Sequence, residues 1–472
     1  MKLDLKPELL WKYFEEISKI PRCSKHEEKI AEYIVNVAKK FGHEVVRDEV
    51  GNVIVRKKAT AYDNAPMVTI QAHIDMVCEK NRNVKHDFEK DPIDVYVDGD
   101  TIKARGTTLG ADNGIGVAAC LTVMEDKNLK HGPLEFLFTV DEETGMTGAF
   151  GLKKGSLKGE MLINADTEEF GAVYIGCAGG GNSTLALSIN YKRVDEKGLE
   201  ITICGLKGGH SGCEINEGRA NSLKLMARLL YNMDAKISSI EGGDKFNAIP
   251  REAIAKIIPS DKSNAIEKVE EFEKIFRSEY SVTDPGITIE TKECNIEKIL
   301  DSDGQKKALS LLMGLPHGIL VMDKQVEGLV ETSTNLAKVR SNDALEIMMS
   351  SRSSINSALD ATMQSIRAIG ELAGAKVEEG SRYPGWKPNL DSALLKIATE
   401  SYKELYGKEP EIKAIHAGLE TGVIGNTFDM DMISIGPQIE HPHSPDEVVY
   451  ISSVQKFWEY LLKILENIAK KK

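Results

Sequence analysis

Four apolar runs of this chain deliver histidine or carboxylate at their C-terminal ends. MVTIQA (67–72) leads into His73-Ile74-Asp75, LEFLFTV (134–140) into Asp141-Glu142-Glu143, and MLINA (161–165) into Asp166. MISIG (432–436) is followed within a few residues by His441 and His443, and Asp112 adds an acid in the stretch Gly110-Ala111-Asp112-Asn113-Gly114. Histidine and carboxylate without cysteine is the donor set of catalytic rather than structural zinc. Within a strand, His73 and Asp75 share a face, so Asp75 can orient the imidazole of His73. Glu142 and Glu143 are adjacent and point differently, which lets one bind metal while the other stays free as a base. A pair of ions needs a bridging carboxylate, and Asp112 on its tight turn is the candidate. Taken singly these features are bland: a His-x-Asp pair is commonly just satisfied, and paired glutamates commonly start a helix. Their recurrence at successive strand ends makes the metal reading the stronger one.

The elements that must position these residues alternate. Leu9, Leu10, Phe14 and Ile17 recur at helical spacing up to Pro21, and Ile30, Tyr33, Ile34, Val37, Ala38 and Phe41 trace a second helical face closed by Gly42. Short strands follow, with Asp98-Gly99 marking a hairpin between IDVYV and TIKA. A helix begins in the Gly110–Gly114 stretch, and the central strands are apolar throughout, as in a sheet covered on both faces. Open α/β sheets carry their sites at the carboxyl ends of such strands. Near residue 184 the pattern resets into a second strand-and-helix series. It breaks again near Tyr383-Pro384-Gly385-Trp386, before helices at 391–405 and 452–469 flank the strand MISIG. Lysines 470–472 read as a solvated helix end.

Composition narrows the function. The chain has 472 residues, with 60 Lys plus Arg against 73 Asp plus Glu, a net charge of −13. That balance excludes the basic face needed for nucleic acid. No run approaches the length of a membrane-spanning helix, and the N-terminal segment lacks the clean apolar stretch of a signal peptide. The seven cysteines are scattered, with no C-x-x-C pair, which reads as reduced thiols packed as small apolar groups in a cytoplasm. Gly179-Gly180-Gly181 reads as a flexible hinge, Cys78 as an apolar neighbour, and His26, His43, His86, His131 and His317 as surface residues. No serine has nucleophile-elbow context.

The set His73-Ile74-Asp75-Met76-Val77, Gly110–Gly114, Asp141-Glu142-Glu143-Thr144-Gly145, Asn164-Ala165-Asp166 and Pro442-His443-Ser444-Pro445-Asp446-Glu447 resembles the signature of the co-catalytic zinc peptidases related to aminoacylase and glutamate carboxypeptidase. Gly208-Gly209-His210-Ser211-Gly212 and His416-Ala417-Gly418-Leu419-Glu420 resemble that family's bacterial dipeptidase branch. The resemblance covers nearly the whole chain. It implies an α/β, two-domain architecture: a catalytic domain with a mixed sheet covered by helices (1–184 and 385–472), and an inserted α+β lid and dimerisation domain (185–384). It implies that His73, Asp112 and Asp166 hold one zinc ion and Asp112, Glu143 and His443 the other, with manganese or cobalt as possible substitutes. His441 competes with His443 for the ligand role, and the Pro-His-Ser-Pro match favours His443.

By the same resemblance Glu142 is the general base, Asp75 orients His73, and His210 matches the lid histidine that reaches the active site of the other copy in a homodimer and steadies an oxyanion. Asn247 and Arg352 resemble groups that bind the substrate carboxylate, with His416 and Glu420 as further substrate contacts. The implied reaction is hydrolysis of dipeptides, Xaa-His among them, by a metal-bridging water. A tripeptidase, aminoacylase or carboxypeptidase on the same fold is the alternative. A non-catalytic peptide-binding relative would lack a ligand or the base, and none is missing here.

Overall fold

The computed structural model describes residues 3–470. The chain divides into two compact units: Met1–Gly176 with Pro388–Ala414 and Leu419–Lys472, and Cys177–Lys387 with Ile415–Gly418. The return of residues 415–418 to the second unit has no counterpart in the sequence pattern.

An eight-stranded mixed sheet organises the first unit. Its order is Glu44–Arg47, Val53–Lys57, Leu134–Thr139, Val68–His73, Met161–Asn164, Asp431–Ser434, Ala172–Cys177, Glu411–Ile415. The central strands are parallel, with Ile70 opposite both Phe136 and Ile163. Every residue of Val68–His73 and Leu134–Thr139 is buried, as expected for strands covered on both faces. Amphipathic helices supply the cover. Glu8–Ile17 buries Leu10, Trp11, Phe14 and Ile17, and Ile451–Lys470 buries Val454, Phe457, Leu461, Ile464 and Ile468. These side chains and the strand residues form one apolar core. The Asp98-Gly99 hairpin forms, with Asp98 opposite Thr101 and Gly99 at φ +61°, inside a small sheet completed by Val448–Tyr450 and Ile439–Glu440.

The second unit is built on a nine-stranded sheet whose long members include Tyr191–Cys204, Thr288–Leu300, Val330–Ser341 and Ala344–Ser353. Its helices start where side chains can cap them. Asn221 accepts from the amides of Leu223 and Lys224, Asp261 from those of Ser263 and Asn264, and Asp301 from that of Gly304.

Three sequence expectations are corrected. The glycines 179–181 are no hinge: they open the strand Gly179–Ser188 and pair with Ser353, Arg352 and Ser351 on one side and, at Gly180, with Tyr383 on the other. They are glycines because neighbouring atoms sit where a side chain would go. Cys23 and Cys78 are joined as a disulfide across 55 residues of sequence, because a parallel bridge between Cys23 and Met76 brings their segments together. The other five cysteines carry none. His131 is buried at 1% exposure against the Gly132 carbonyl, and His317 is half-buried beside Asn221. Lys470 pairs with Glu466 at 2.7 Å, and lysines 471 and 472 lie outside the described residues. No helix among the described residues is long and apolar enough to cross a membrane.

The glycine strand gives a direct test. A Cβ on Gly180 would fall 2.5 Å from Cζ and Oη of Tyr383, which holds Arg352 Nη1 at 2.9 Å. Gly180→Ala should lower stability by about 1–3 kcal/mol, the usual cost of overpacking, read as an earlier urea midpoint with unchanged slope. An unchanged midpoint would refute the close approach.

Candidate active site

In the first unit the strand ends converge on one polar cluster. His73, the last residue of Val68–His73, is 1% exposed. Its Nε2 lies 2.9 Å from Asp112 Oδ1 and 3.0 Å from Asp166 Oδ1, and its Nδ1 lies 3.2 Å from Asp75 Oδ1. Asp112 turns its other oxygen to His443 Nε2 at 3.2 Å, and the same nitrogen meets Glu143 Oε2 at 3.0 Å. The two oxygens of Asp112 therefore face two different imidazoles. His441, exposed two residues earlier, makes no such approach. Donor atoms of His73, Asp112 and Asp166 lie within 4.8 Å of one another, as do those of His73, Glu142 and Glu143. Glu143 Oε1 is buried without a hydrogen-bond partner among the described residues. A carboxylate set between two imidazoles and an unsatisfied buried oxygen fit a pair of divalent ions.

Backbone hydrogen bonds hold this cluster of like charges in place. Asp75 accepts from Ser24 Oγ at 2.8 Å and from the amides of Glu142 and Glu143 at 3.1 and 3.2 Å. Burial opposes its ionisation, yet these bonds and His73 hold it below the usual carboxylate range. Glu447 accepts four consecutive amides: Leu109 and Gly110 at 2.7 and 2.9 Å, Ala111 and Asp112 at 2.8 and 3.3 Å. It fixes the turn that presents Asp112 at the start of the helix Ala111–Glu125. The buried Arg22 guanidinium donates to the carbonyls of Ile74, Asp75 and Gly110, so a cation lies among the acids. Gly110 has φ +70°, and a Cβ there would sit 2.6 Å from Arg22 Nη2. A cis peptide bond joins Asp112 to Asn113, whose side-chain amide donates to the Ala165 carbonyl and to Asp166.

Among the described residues Glu142 makes no side-chain hydrogen bond. Burial pushes its pKa well above the ordinary glutamate value, with Asp166, Glu420 and Glu143 adding and His73 opposing. Glu420, read from the sequence as a substrate contact, is fully buried. Its Oε2 accepts from Gln71 Nε2 and Thr139 Oγ1, both at 2.6 Å. Gln71 Oε1 in turn accepts from Asn164 Nδ2 at 2.5 Å, and Asn164 Oδ1 accepts from Ser434 Oγ. One residue from each of four adjacent strands thus feeds a hydrogen-bond chain that ends on Glu420, immediately before the strand ends that carry His73 and Asp166.

The second unit gathers His210, Asn247, Arg352 and His416. His210 pairs with Ala248 across a two-residue ladder, and the Asn247 carbonyl accepts the Ser211 amide at 2.8 Å. His210 Nδ1 accepts from the amides of Gly212 and Cys213 at 3.3 and 3.1 Å, which leaves Nε2 to carry the proton of the neutral ring. Burial and Arg352 lower its pKa. A Cβ on Gly212 would meet the His416 carbonyl, His210 Cε1 and Arg352 Nε at 2.3–3.1 Å, so these three surround one glycine. His416 Nε2 lies 2.7 Å from Ser333 Oγ.

Sequence reasoning missed Arg22, Ser24 and Glu168, and left Glu447 without a role. A lone arginine after Pro21 carries no signal. Glu168 had one: it is an acid two residues beyond Asp166, the spacing that returns to the same face of an extended segment. A carboxylate oxygen of Glu168 lies within 4.8 Å of donor atoms of Asp112 and His443.

Two outcomes follow from these bonds. Glu447→Ala strands four amides around Asp112, so it should cost about 2–4 kcal/mol and reduce bound metal, read by thermal unfolding and metal content per chain. Burial, with Arg352 and His210, pushes His416 down to about 3, while an unfolded histidine titrates near about 6.5. Below that value the unfolded chain takes up a proton that the folded chain refuses, so stability falls with falling pH. His416→Gln should flatten the decline of Tm between pH 6.5 and pH 4.

The model of peptidase family M20/M25/M40 matches residues 69–467. The cytosol non-specific dipeptidase of Escherichia coli is 44% identical over 488 aligned residues, covering 99% of both chains. The crystal structure of aminoacylhistidine dipeptidase from Vibrio alginolyticus superposes with a TM-score of 0.92 at 42% identity, covering 98% of this chain and 97% of that one. Aminopeptidase PepT from Bacillus cereus shares the fold, at a TM-score of 0.59 and 18% identity over 99% of this chain and 100% of that one. With a matching mixed sheet, matching length and the strand-end cluster in place, this chain belongs to peptidase family M20/M25/M40.

Proposed function

We propose that this chain is a cytosolic metallo-dipeptidase that works on two divalent ions, zinc foremost, and accepts Xaa-His dipeptides among its substrates. Full-length identity of 44% to the Escherichia coli dipeptidase carries the reading, and the complete donor cluster supports catalysis over mere binding. His73, Asp112 and Asp166 would hold one ion and Asp112, Glu143 and His443 the other. Bound there, the ions would lower the pKa of water and polarise the scissile carbonyl.

The chain's own residues do the rest. Glu142 takes the proton of the attacking water and returns it to the departing amine; its buried, acid-rich surroundings favour the protonated form that the second step needs. Asp75 keeps His73 oriented and, through the amides of Glu142 and Glu143, keeps base and ligand apart. His210, neutral with its proton on Nε2, donates to the developing oxyanion, a contribution made chiefly in the transition state. Arg352 and Asn247 bind the substrate carboxylate. This assignment of His210 goes with a homodimer formed through the second unit.

Chelator-stripped protein should cleave no peptide, and restored zinc should bring back hydrolysis of dipeptides, but not of a tripeptide or an N-acetyl amino acid. Cleavage confined to the last two would overturn the substrate assignment. Glu142→Gln should lose about 10²-fold or more in kcat while metal content stays at the wild-type level; near-normal turnover at full metal would remove Glu142 from its role.

A further inference from the structure

The chemistry above leaves one acid of the centre unused. Glu168 is half-buried, and its carboxylate makes no hydrogen bond or ion pair among the described residues, although it lies within 4.8 Å of donor atoms of Asp112 and His443. Burial and the nearby Asp112, Asp166 and Glu143 carboxylates oppose its ionisation, with His443 favouring it. Its neighbour Glu169 is provided for, held by Lys413 Nζ at 2.5 Å and by the Tyr174 hydroxyl at 2.8 Å. In one short segment, therefore, one glutamate has its cation and the next does not.

Charge counting sharpens the contrast. Two divalent ions would bring four positive charges, against three negative ones from the proposed ligands Asp112, Asp166 and Glu143 and a fourth from the ionised Asp75 beside them. A histidine that ligates metal is neutral. An ionised Glu168 adds a partly buried negative charge that no hydrogen bond or ion pair among the described residues compensates, which is costly unless a cation pairs with it. On the proposed assignment each ion would have three protein donors, the number that keeps a catalytic position open; a fourth from Glu168 would close it. A dipeptide supplies the missing cation, because its ammonium is borne on the carbon next to the scissile carbonyl.

We infer that Glu168 receives the α-ammonium group of the substrate's N-terminal residue, and that it selects free dipeptides over N-acylated or desamino compounds. The inference rests on the dipeptidase reading. It is tested by calorimetry on metal-loaded Glu142→Gln protein, titrated with an alanyl dipeptide and with its desamino (propionyl) analogue, with and without Glu168→Gln. Loss of a charge-assisted contact should weaken dipeptide binding by about 10- to 100-fold. Binding of the propionyl compound should change less than about twofold, and bound metal should not change. Equal weakening of both compounds, no weakening of either, or loss of a metal ion overturns the assignment, the last by making Glu168 a ligand. Wild-type turnover of the same dipeptide is measured alongside. Turnover without selective loss in the variant refutes the ammonium role alone, whereas no turnover refutes the dipeptidase reading and this inference with it.

Discussion

The Asp75 carboxylate ties the first unit's centre together. It holds the imidazole of His73, the hydroxyl of Ser24 and the amides of Glu142 and Glu143, so the ends of two parallel strands and the N-terminal loop meet on one buried group. A carboxylate that accepts several hydrogen bonds stays ionised at little cost, and its charge steadies the imidazole. The backbone amides of the neighbouring Glu142 and Glu143 are both fixed by this one group.

The same device recurs wherever acids crowd. Glu447 binds a run of four amides below Asp112, Arg22 lays a guanidinium across three carbonyls, and Glu420 ends a chain of donors drawn from four strands. Glu447 and Arg22 anchor the backbone, and Glu420 anchors the side chains of Gln71 and Thr139. A rigid frame of this kind costs no reorganisation when ions or substrate arrive, and a half-satisfied one would be worse than an apolar core. The frame is therefore polar where it holds the site and apolar immediately below it, where Ile70, Phe136 and Ile163 pack.

The second unit solves a different problem with close packing. Glycines 179–181 bring the strands against Tyr383 and Met363, and Gly212 lets His210, Arg352 and His416 crowd one point. Arg352 is 6% exposed and His416 also 6%, so a cation and a neutral imidazole are held ready without solvent. Polar groups set in this way favour a ligand that brings the complementary charge.

Much of this was legible in the chain itself. Apolar runs ending in His73, Glu142, Asp166 and His443 announce both the covered sheet and the cluster at its rim, because strand periodicity and ligand chemistry are local properties. The Asp98-Gly99 hairpin is local too. The choice of His443 over His441 rested on a motif match, and in the fold it is the His443 imidazole that lies beside Asp112 and Glu143. The support could not be read in advance. Arg22, Ser24, Glu447 and Glu420 act on groups 51 to 349 residues away, and nothing in a residue's type or its neighbours encodes such a partner. The glycine triplet and the Cys23–Cys78 pair were misread for the same reason, since whether a glycine is a hinge or a close approach depends on what packs against it. Sequence determined which residues could do the chemistry and on which elements they ride, because short-range spacing sets a side chain's face. Only the tertiary structure decided which of them meet, since that depends on long-range burial that brings distant segments within hydrogen-bond reach.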